Sequence, residues 1–371
     1  MSEAGRTFLS DNAFGASPEV LEAVTAVAVG DAAPYGADPL TEAVRHRLRE
    51  LFERDLDVFL VSSGTAANGL ALATLAQPWG SVLCHPDSHI DNDEGGAAEF
   101  FTGGSKLVGV PGADSKIDPD ALLRALGRRT EDPHGVRPSA LSISQGTESG
   151  SVYTLDELGA LCRDARAVGL GVHMDGARFA NALSRLGATP AEMTWKAGVD
   201  VLSFGTTKNG TISADAVVSF TPAASHELRA RVKRAGQLAA KTRFSAAQLQ
   251  AYLADDLWLR NASRANTLAT RLWEGLQGLP GVVPHGAPET NMVFCGLTPS
   301  VVKGLLAQGY AFYHDRWEPG VVRFVTSFAH SAAEVDGLTA EIGRLSREGA
   351  DRPGARRPRH RDESWDHCLW A

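Results

Sequence analysis

Four cysteines in 371 residues, Cys84, Cys162, Cys295 and Cys368, are too few and too scattered for a disulfide framework. No two form a CxxC pair, and Cys84 and Cys295 lie inside strand-like apolar runs, where buried free thiols are expected. No apolar run approaches the roughly 18 residues of a membrane span. Met1 to Ser10 lacks the apolar core of a secretory signal. Positive charge is not in surplus either: a net charge of −8 suits neither nucleic acid nor an anionic membrane. No G-x-G-x-x-G follows the first strand-like segment, which disfavours a nicotinamide-binding Rossmann protein. Internal repeats are absent. The expectation is a cytoplasmic protein without disulfides or metal, acting on a small molecule.

What is present is ordinary globular composition, 43% hydrophobic and 22% charged, in a chain long enough for a large domain and a smaller one. Between about residues 55 and 220, strand-like and helix-like segments alternate. Asp57-Val61, Ser81-His85, Lys106-Val110, Ala140-Ser144, Leu170-Met174 and Val199-Phe204 read as strands. Thr65-Ala76 reads as a helix, as does the segment opened by Asp118-Pro119. Thr154-Leu155-Asp156-Glu157 is a capping box, followed by Leu158, Leu161, Ala165 and Val168 at helical spacing. Thr189-Pro190-Ala191-Glu192 is expected to cap a further helix. This rhythm predicts an α/β class with a mostly parallel sheet covered by helices, whose ligand sits at the carboxyl ends of the strands. After about residue 222 the chain turns long and helical. Segments near Asn291-Cys295 and Val321-Thr326 then look like strands of a small α+β domain. From Gly349 onward the sequence is rich in Arg and Pro, and a disordered tail is expected over 349–371.

Several residues just past the expected strand ends carry chemistry. Val201-Leu202-Ser203-Phe204-Gly205-Thr206-Thr207-Lys208-Asn209-Gly210 delivers one lysine at the mouth of a strand. His173-Met174-Asp175-Gly176-Ala177-Arg178 delivers an acid and a guanidinium at another. A lysine, an acid and an arginine at neighbouring strand ends are what a pyridoxal phosphate site requires: an amine for the Schiff base, a carboxylate for the ring nitrogen, a cation for oxyanions. Ser63, Gly64 and Thr65 open a helix and could seat a phosphate, or could simply cap that helix. Asp175 could be a turn residue, and Arg178 a solvated helix residue. His89 could stack on the pyridine ring or be an ordinary surface histidine. Glu94 could be a helix-start acid or a pocket carboxylate.

Taken in order, Ser-Gly-Thr, Ser-His-Ile, His-Met-Asp-Gly-Ala-Arg and Thr-Lys-Asn-Gly resemble the fold-type I pyridoxal phosphate enzymes. Within them they are similar to the threonine aldolases of the β-eliminating lyase group. The resemblance runs from Ser10-Asp11-Asn12 to Val321-Thr326 and includes Tyr35-Gly36-Ala37-Asp38-Pro39, like the family's loop near the subunit interface. It implies an aspartate-aminotransferase-like large domain at 20–245, an N-terminal arm at 1–19 and a small domain at 246–348. It implies Lys208 as Schiff-base lysine, Asp175 as partner of the ring nitrogen and His89 as stacking residue. Arg178 would lie near the cofactor's O3′ and the substrate carboxylate, which Ser10 and Arg323 would clamp. Ser63, Gly64 and Thr65 would cup the phosphate, joined by Lys241 or Arg243 of a neighbouring subunit. Tyr35 and Glu94 would lie near the substrate. The activity implied is cleavage of threonine, allo-threonine or a relative such as phenylserine to glycine and an aldehyde. A β-elimination or amino transfer on the same fold is the alternative. A homo-oligomer, as a dimer of dimers, is expected. Ser144-Gln145-Gly146-Thr147-Glu148 departs from the family's Glu-Asn-Thr-His-type segment. With that histidine missing, His89 is the nearest candidate base, ahead of Glu94 or water.

Overall fold

The computed structural model describes residues 6–127, 132 and 134–350. The stretch 351–371, where most of the expected tail lies, is outside the described residues. Seven strands form the main sheet: β1 (Asp57–Val61), β2 (Gly80–Cys84), β3 (Lys106–Gly109), β4 (Arg137–Ser144), β5 (Gly171–Gly176), β6 (Val201–Phe204) and β7 (Asp215–Ser219). Their spatial order is β1-β7-β6-β5-β4-β2-β3. β6, β5, β4, β2 and β3 are parallel. β7 runs antiparallel to both its neighbours, so β1 shares the direction of the parallel set.

Helices cover the sheet, as its wholly buried strands β2, β6 and β7 require. Those up to β2 are α1 (Pro18–Ala26), α2 (Pro39–Leu51) and α3 (Gly64–Leu75). α3 is Ala- and Leu-rich without a polar face and is buried from Ala66 to Ala73. Next come α4 (His89–Asn92), α5 (Ala97–Thr102), α6 (Pro119–Gly127), α7 (Leu155–Ala167) and α8 (Phe179–Leu186). The capping box of α7 forms as expected: Thr154 Oγ1 accepts from the Glu157 N–H at 3.2 Å, and Glu157 accepts from the Thr154 N–H at 2.7 Å. At Thr189 the outcome differs. The reciprocal Thr189–Glu192 bonds are made, yet the chain runs through turns to Gly198 rather than a helix. Gly198 has φ +115, and a Cβ there would lie 2.7 Å from Cys162 Cβ, so the segment must turn at once into β6.

In the middle of the sheet His173 bridges three strands. Its Nδ1 shares a proton with Ser142 Oγ on β4 and its Nε2 with Ser203 Oγ on β6, each at 2.9 Å. The ring is fully buried, and burial pushes its pKa down to about 4.

Beyond the sheet, α9 (Pro222–Arg234), α10 (Arg243–Leu253) and α11 (Leu257–Leu276) lead to a second sheet. It comprises β8 (Val283–Pro284), β9 (Met292–Gly296), β10 (Tyr313–His314) and β11 (Val321–Val325), in the order β10-β11-β9-β8. α12 (Pro299–Ala307) and α13 (Ala332–Ala350) pack with it. The change between cores falls later than residue 246. Ala246, Leu249, Tyr252, Leu253, Trp258 and Ala262 belong to the core under the large sheet. From Leu268 onward α11 belongs to the second core. α10 joins the first because its apolar face lies against α1 and α2.

The second core also takes in Phe8, from the N-terminal arm. The Phe8 N–H donates to the Ala311 carbonyl at 2.7 Å, and the Val325 N–H donates to the Phe8 carbonyl at 2.9 Å. The Phe8 ring stacks on His330, with centroids 4.4 Å apart. The small domain is thus built from both ends of the described chain.

Candidate active site

Because the parallel strands share one direction, the loops that leave them converge on one edge of the sheet. Lys208 sits there on a tight turn, Thr207–Asn209, after β6. Asp215, the first residue of β7, shapes that turn: its Oδ1 accepts from the Thr206 N–H (2.7 Å), the Thr207 N–H (3.0 Å) and the Thr207 hydroxyl (3.0 Å). Asn209 anchors the other side by donating to the Tyr252 hydroxyl (2.7 Å) and the Trp258 carbonyl (2.8 Å). Gly205 lets β6 leave close beside the loop after β5, since a Cβ there would fall 2.6 Å from Ala177 Cα. Gly210, at φ +124, closes the turn against Ser17.

These loops enclose a cavity of about 680 Å³, lined among others by Lys208, Asp175, Arg178, His89, Glu148 and Arg323. Desolvation lowers the pKa of the Lys208 amine, and Arg178 adds to the effect against the pull of Asp11, Asp175 and Asp215. Asp175 is buried. Its Oδ1 accepts from the Ala177 N–H and its Oδ2 from Asn68 Nδ2, each at 2.9 Å. Asn68, on α3, also donates to Glu94 Oε1 at 2.8 Å, and His89 Nδ1 lies 2.8 Å from the same oxygen. A continuous hydrogen-bonded row therefore runs His89–Glu94–Asn68–Asp175. Glu94 was expected at the substrate. Its side chain is instead shut off behind His89 and is absent from the cavity wall, where it holds the imidazole and the amide in place.

Arg178 differs from expectation as well. Nε and one terminal nitrogen of its guanidinium grip Asp11 at 2.9 and 3.0 Å, and Asn291 donates to the same carboxylate at 3.0 Å. Burial alone would raise the Asp11 pKa, but Arg178, Lys208 and Asn291 together bring it below the usual value. Arg323, on β11, faces the cavity between the rings of Tyr313 (4.7 Å) and Trp317 (5.3 Å). Its buried Nε has no partner among the described residues. Burial, with Arg178 nearby, pulls its pKa down to about 10, so it stays charged at neutral pH.

Glu148 was read from sequence only as a departure. It lines the cavity, with Oε1 accepting from the His89 N–H (2.9 Å) and Ser144 Oγ (3.0 Å) and Oε2 buried without a partner. Burial, reinforced by Asp175, pushes its pKa up to about 7. Asn68 and Asp215 were missed too, since neither carries a motif by itself.

Ser63 caps α3, its Oγ accepting from the Ala66 N–H at 3.2 Å. Gly64 and Thr65 are half-buried, and their N–H groups belong to the first turn, which has no acceptor within the helix. Nothing lies within 4 Å of where a Gly64 Cβ would stand. Ser10 caps the short turn Asp11–Ala13 through its hydroxyl, accepting from the Asn12 N–H at 3.2 Å, and is half-buried beside Asp11 rather than on the cavity wall. Tyr35, Lys241 and Arg243 do not reach this chain's cavity. The Tyr35 N–H donates to the Ala240 carbonyl at 3.0 Å, and Lys233 Nζ lies 4.7 Å from the Tyr35 ring. Arg243 donates to the carbonyls of Val27 (3.2 Å) and Gly30 (3.3 Å), while Lys241 is exposed. These residues form one surface patch.

The residues present fit pyridoxal phosphate: a desolvated lysine, a buried aspartate beside it, an open helix start after β1 and a buried cation with an idle donor. This sheet, its helices and the second domain define the fold-type I class of pyridoxal phosphate enzymes. The chain belongs to the beta-eliminating lyase family, whose model matches residues 7–298. It is 41% identical over 342 residues to low specificity L-threonine aldolases of a Pseudomonas species and of Pseudomonas aeruginosa, covering 92% of this chain and 98% of each relative. Among solved structures it resembles the threonine aldolase of Leishmania major, at 28% identity and a TM-score of 0.86, covering 92% of this chain and 99% of that one.

Proposed function

We infer that the chain is a pyridoxal phosphate-dependent aldehyde-lyase that cleaves L-threonine, L-allo-threonine or a related β-hydroxy-α-amino acid to glycine and an aldehyde. The observation that carries the reading is Lys208, a desolvated amine sharing one cavity with Asp175 and Arg323 in a chain 41% identical to low specificity L-threonine aldolases. The cofactor, when bound, supplies the electron sink that makes a Cα–Cβ bond breakable.

The chain's own residues bind and orient. Lys208 would hold the cofactor covalently, and its lowered pKa keeps more of the amine neutral, as a nucleophile needs. Asp175, held by Asn68 and the Ala177 N–H, would keep a proton on the ring nitrogen. His89, oriented by Glu94, would stack on the ring. Ser63, Gly64 and Thr65 seat the phosphate on the first turn of α3. Arg323 takes the substrate carboxylate and so fixes which bond at Cα is aligned for cleavage. Arg178, braced by Asp11, completes the positive wall. Tyr35, Lys241 and Arg243 belong to a subunit interface, where Lys241 or Arg243 serves the phosphate and Tyr35 the substrate of a neighbouring copy, in a cytoplasmic homo-oligomer. No helix among the described residues is long and apolar enough to cross a membrane.

A product assay tests the reading. Purified protein with cofactor should convert L-allo-threonine or L-threonine to equimolar glycine and acetaldehyde. Pyruvate with ammonia, or a keto acid, would identify elimination or amino transfer instead.

A further inference from the structure

We propose that Glu148 is the group that accepts the proton of the substrate's β-hydroxyl, a role that rests on the retro-aldol reading above. Glu148 stands on the loop leaving β4, in the cavity wall with Lys208 and Asp175. Although part of the residue is exposed, its carboxylate oxygen Oε2 is buried and has no donor. Two donors, the His89 N–H and Ser144 Oγ, lock the opposite oxygen, so the carboxylate cannot swing away. Among the other carboxylates nearby, Asp175 accepts from Asn68 and Ala177, Asp11 is gripped by Arg178, and Glu94, whose Oε2 is likewise buried without a partner, lies behind His89 off the cavity wall. His89 has Nδ1 tied to Glu94 and no partner at Nε2 among the described residues. That free Nε2 makes His89 the rival base, which the His89→Phe arm of the test addresses; in the proposal the proton goes to Glu148 and His89 keeps the stacking role.

The step balances within the substrate and one carboxyl. The β-hydroxyl O–H bond breaks and its proton moves to Glu148 Oε2. The freed oxygen pair becomes the second bond of the aldehyde carbonyl, and the Cα–Cβ pair stays with the glycine fragment. Glycine must regain one proton at Cα, which equals the one Glu148 has taken, so no water or net proton is consumed. A carboxyl poised near neutrality can accept the proton and then yield it to solvent, while Cα takes its proton from another donor, so Glu148 acts on the β-hydroxyl alone. Charged and titratable groups that share the cavity wall with Glu148 include Asp175 from β5, His89 from α4, Lys208, Arg178, Arg323, Asp114 and Lys116. Buried Cys84 and Tyr153 also feel its charge, but burial raises both pKa values and keeps them neutral.

The test compares holoenzymes of the wild type, Glu148→Gln and His89→Phe. Wild-type kcat/KM for L-allo-threonine cleavage should rise with pH through about 7. Glu148→Gln should lose roughly 10²–10⁴-fold and lose that limb. Exchange of the glycine α-proton with heavy water, which involves no β-hydroxyl, should stay within a few-fold of wild type, as should the visible cofactor band. His89→Phe should keep the limb. Independently of turnover, infrared spectra should show a carboxyl band titrating near pH 7 that is missing from Glu148→Gln. Several results would overturn the proposal: a normal rate and limb in Glu148→Gln, equal loss of cleavage and glycine exchange, no such infrared band, or loss of the limb in His89→Phe instead. If the wild type exchanges glycine protons but cleaves no β-hydroxy amino acid, the retro-aldol reading itself fails and this proposal falls with it.

Discussion

Lys208 and Arg323 reach one cavity from different domains, and each has one measurement that checks it. Lys208→Ala should lose the borohydride-reducible visible band and multiple turnover together; a variant that keeps both would show that another amine holds the cofactor. Arg323 is a desolvated cation whose Nε has no partner and whose faces lie against Tyr313 and Trp317. Removing one partner of such a charge pair costs about 2–5 kcal/mol. Arg323→Ala should therefore lower kcat/KM by about 30-fold to several thousand-fold, at about 1.4 kcal/mol per decade. Cofactor loading should hardly change; near-normal kinetics would exclude Arg323 as the carboxylate clamp. At this scale the sequence was legible where a residue follows a strand within a recognisable string, as at Lys208, Asp175 and His89. It was silent on Asn68, Asp215 and Glu148, whose roles come from partners far along the chain. Asn68 meets Asp175 across 107 residues, and Glu148 meets His89 across 59.

Strands and helices were largely legible for the same physical reason that they form: local apolar runs and caps. β1 lies where the apolar run Asp57-Val61 puts it. β7 escaped notice because five residues between a turn and a helix carry no period of their own; its place between β1 and β6 decides it. The Thr189 cap was read correctly as a cap and wrongly as a helix, since capping reports only on a first turn. The central strands also carry a testable pH dependence. An unfolded His173 would protonate near pH ~6.5, whereas in the fold it resists charging until about pH 4. The unfolded state thus binds the proton more readily. The contribution is complete above pH ~6.5 and is lost as pH falls toward about 4, to a total of roughly 3 kcal/mol. Urea titrations should show this slope in the wild type and a flatter one in His173→Gln. Parallel slopes would mean that the imidazole is charged in the fold.

For the whole molecule, the patch holding Tyr35, Lys241 and Arg243 lies away from this chain's own cavity, which makes assembly the decisive property. If these residues complete a neighbour's site, mixing inactive Lys208→Ala protein with impaired Lys241→Ala protein should restore activity as subunits exchange. A fully active monomer in light scattering at assay concentration would refute the shared site. The division into two cores was legible only coarsely, because α11 continues without a break from one core into the other.

The N-terminal arm sets a schedule. Arg6 donates to the carbonyl of Gln308, 302 residues later, and Phe8 seats itself between Ala311 and Val325, as far along or farther. At roughly 5–20 residues per second, a ribosome needs about 15–60 s to make the arm's partners after the arm itself has emerged. For that interval the sheet and its helices can form and Arg178 can grip Asp11, but the strands that pin Phe8 are still missing. Asn291, the other partner of the Asp11 carboxylate, arrives only with the small domain. A nascent chain stalled after residue 262 would hold a nearly complete large core around an unfinished site.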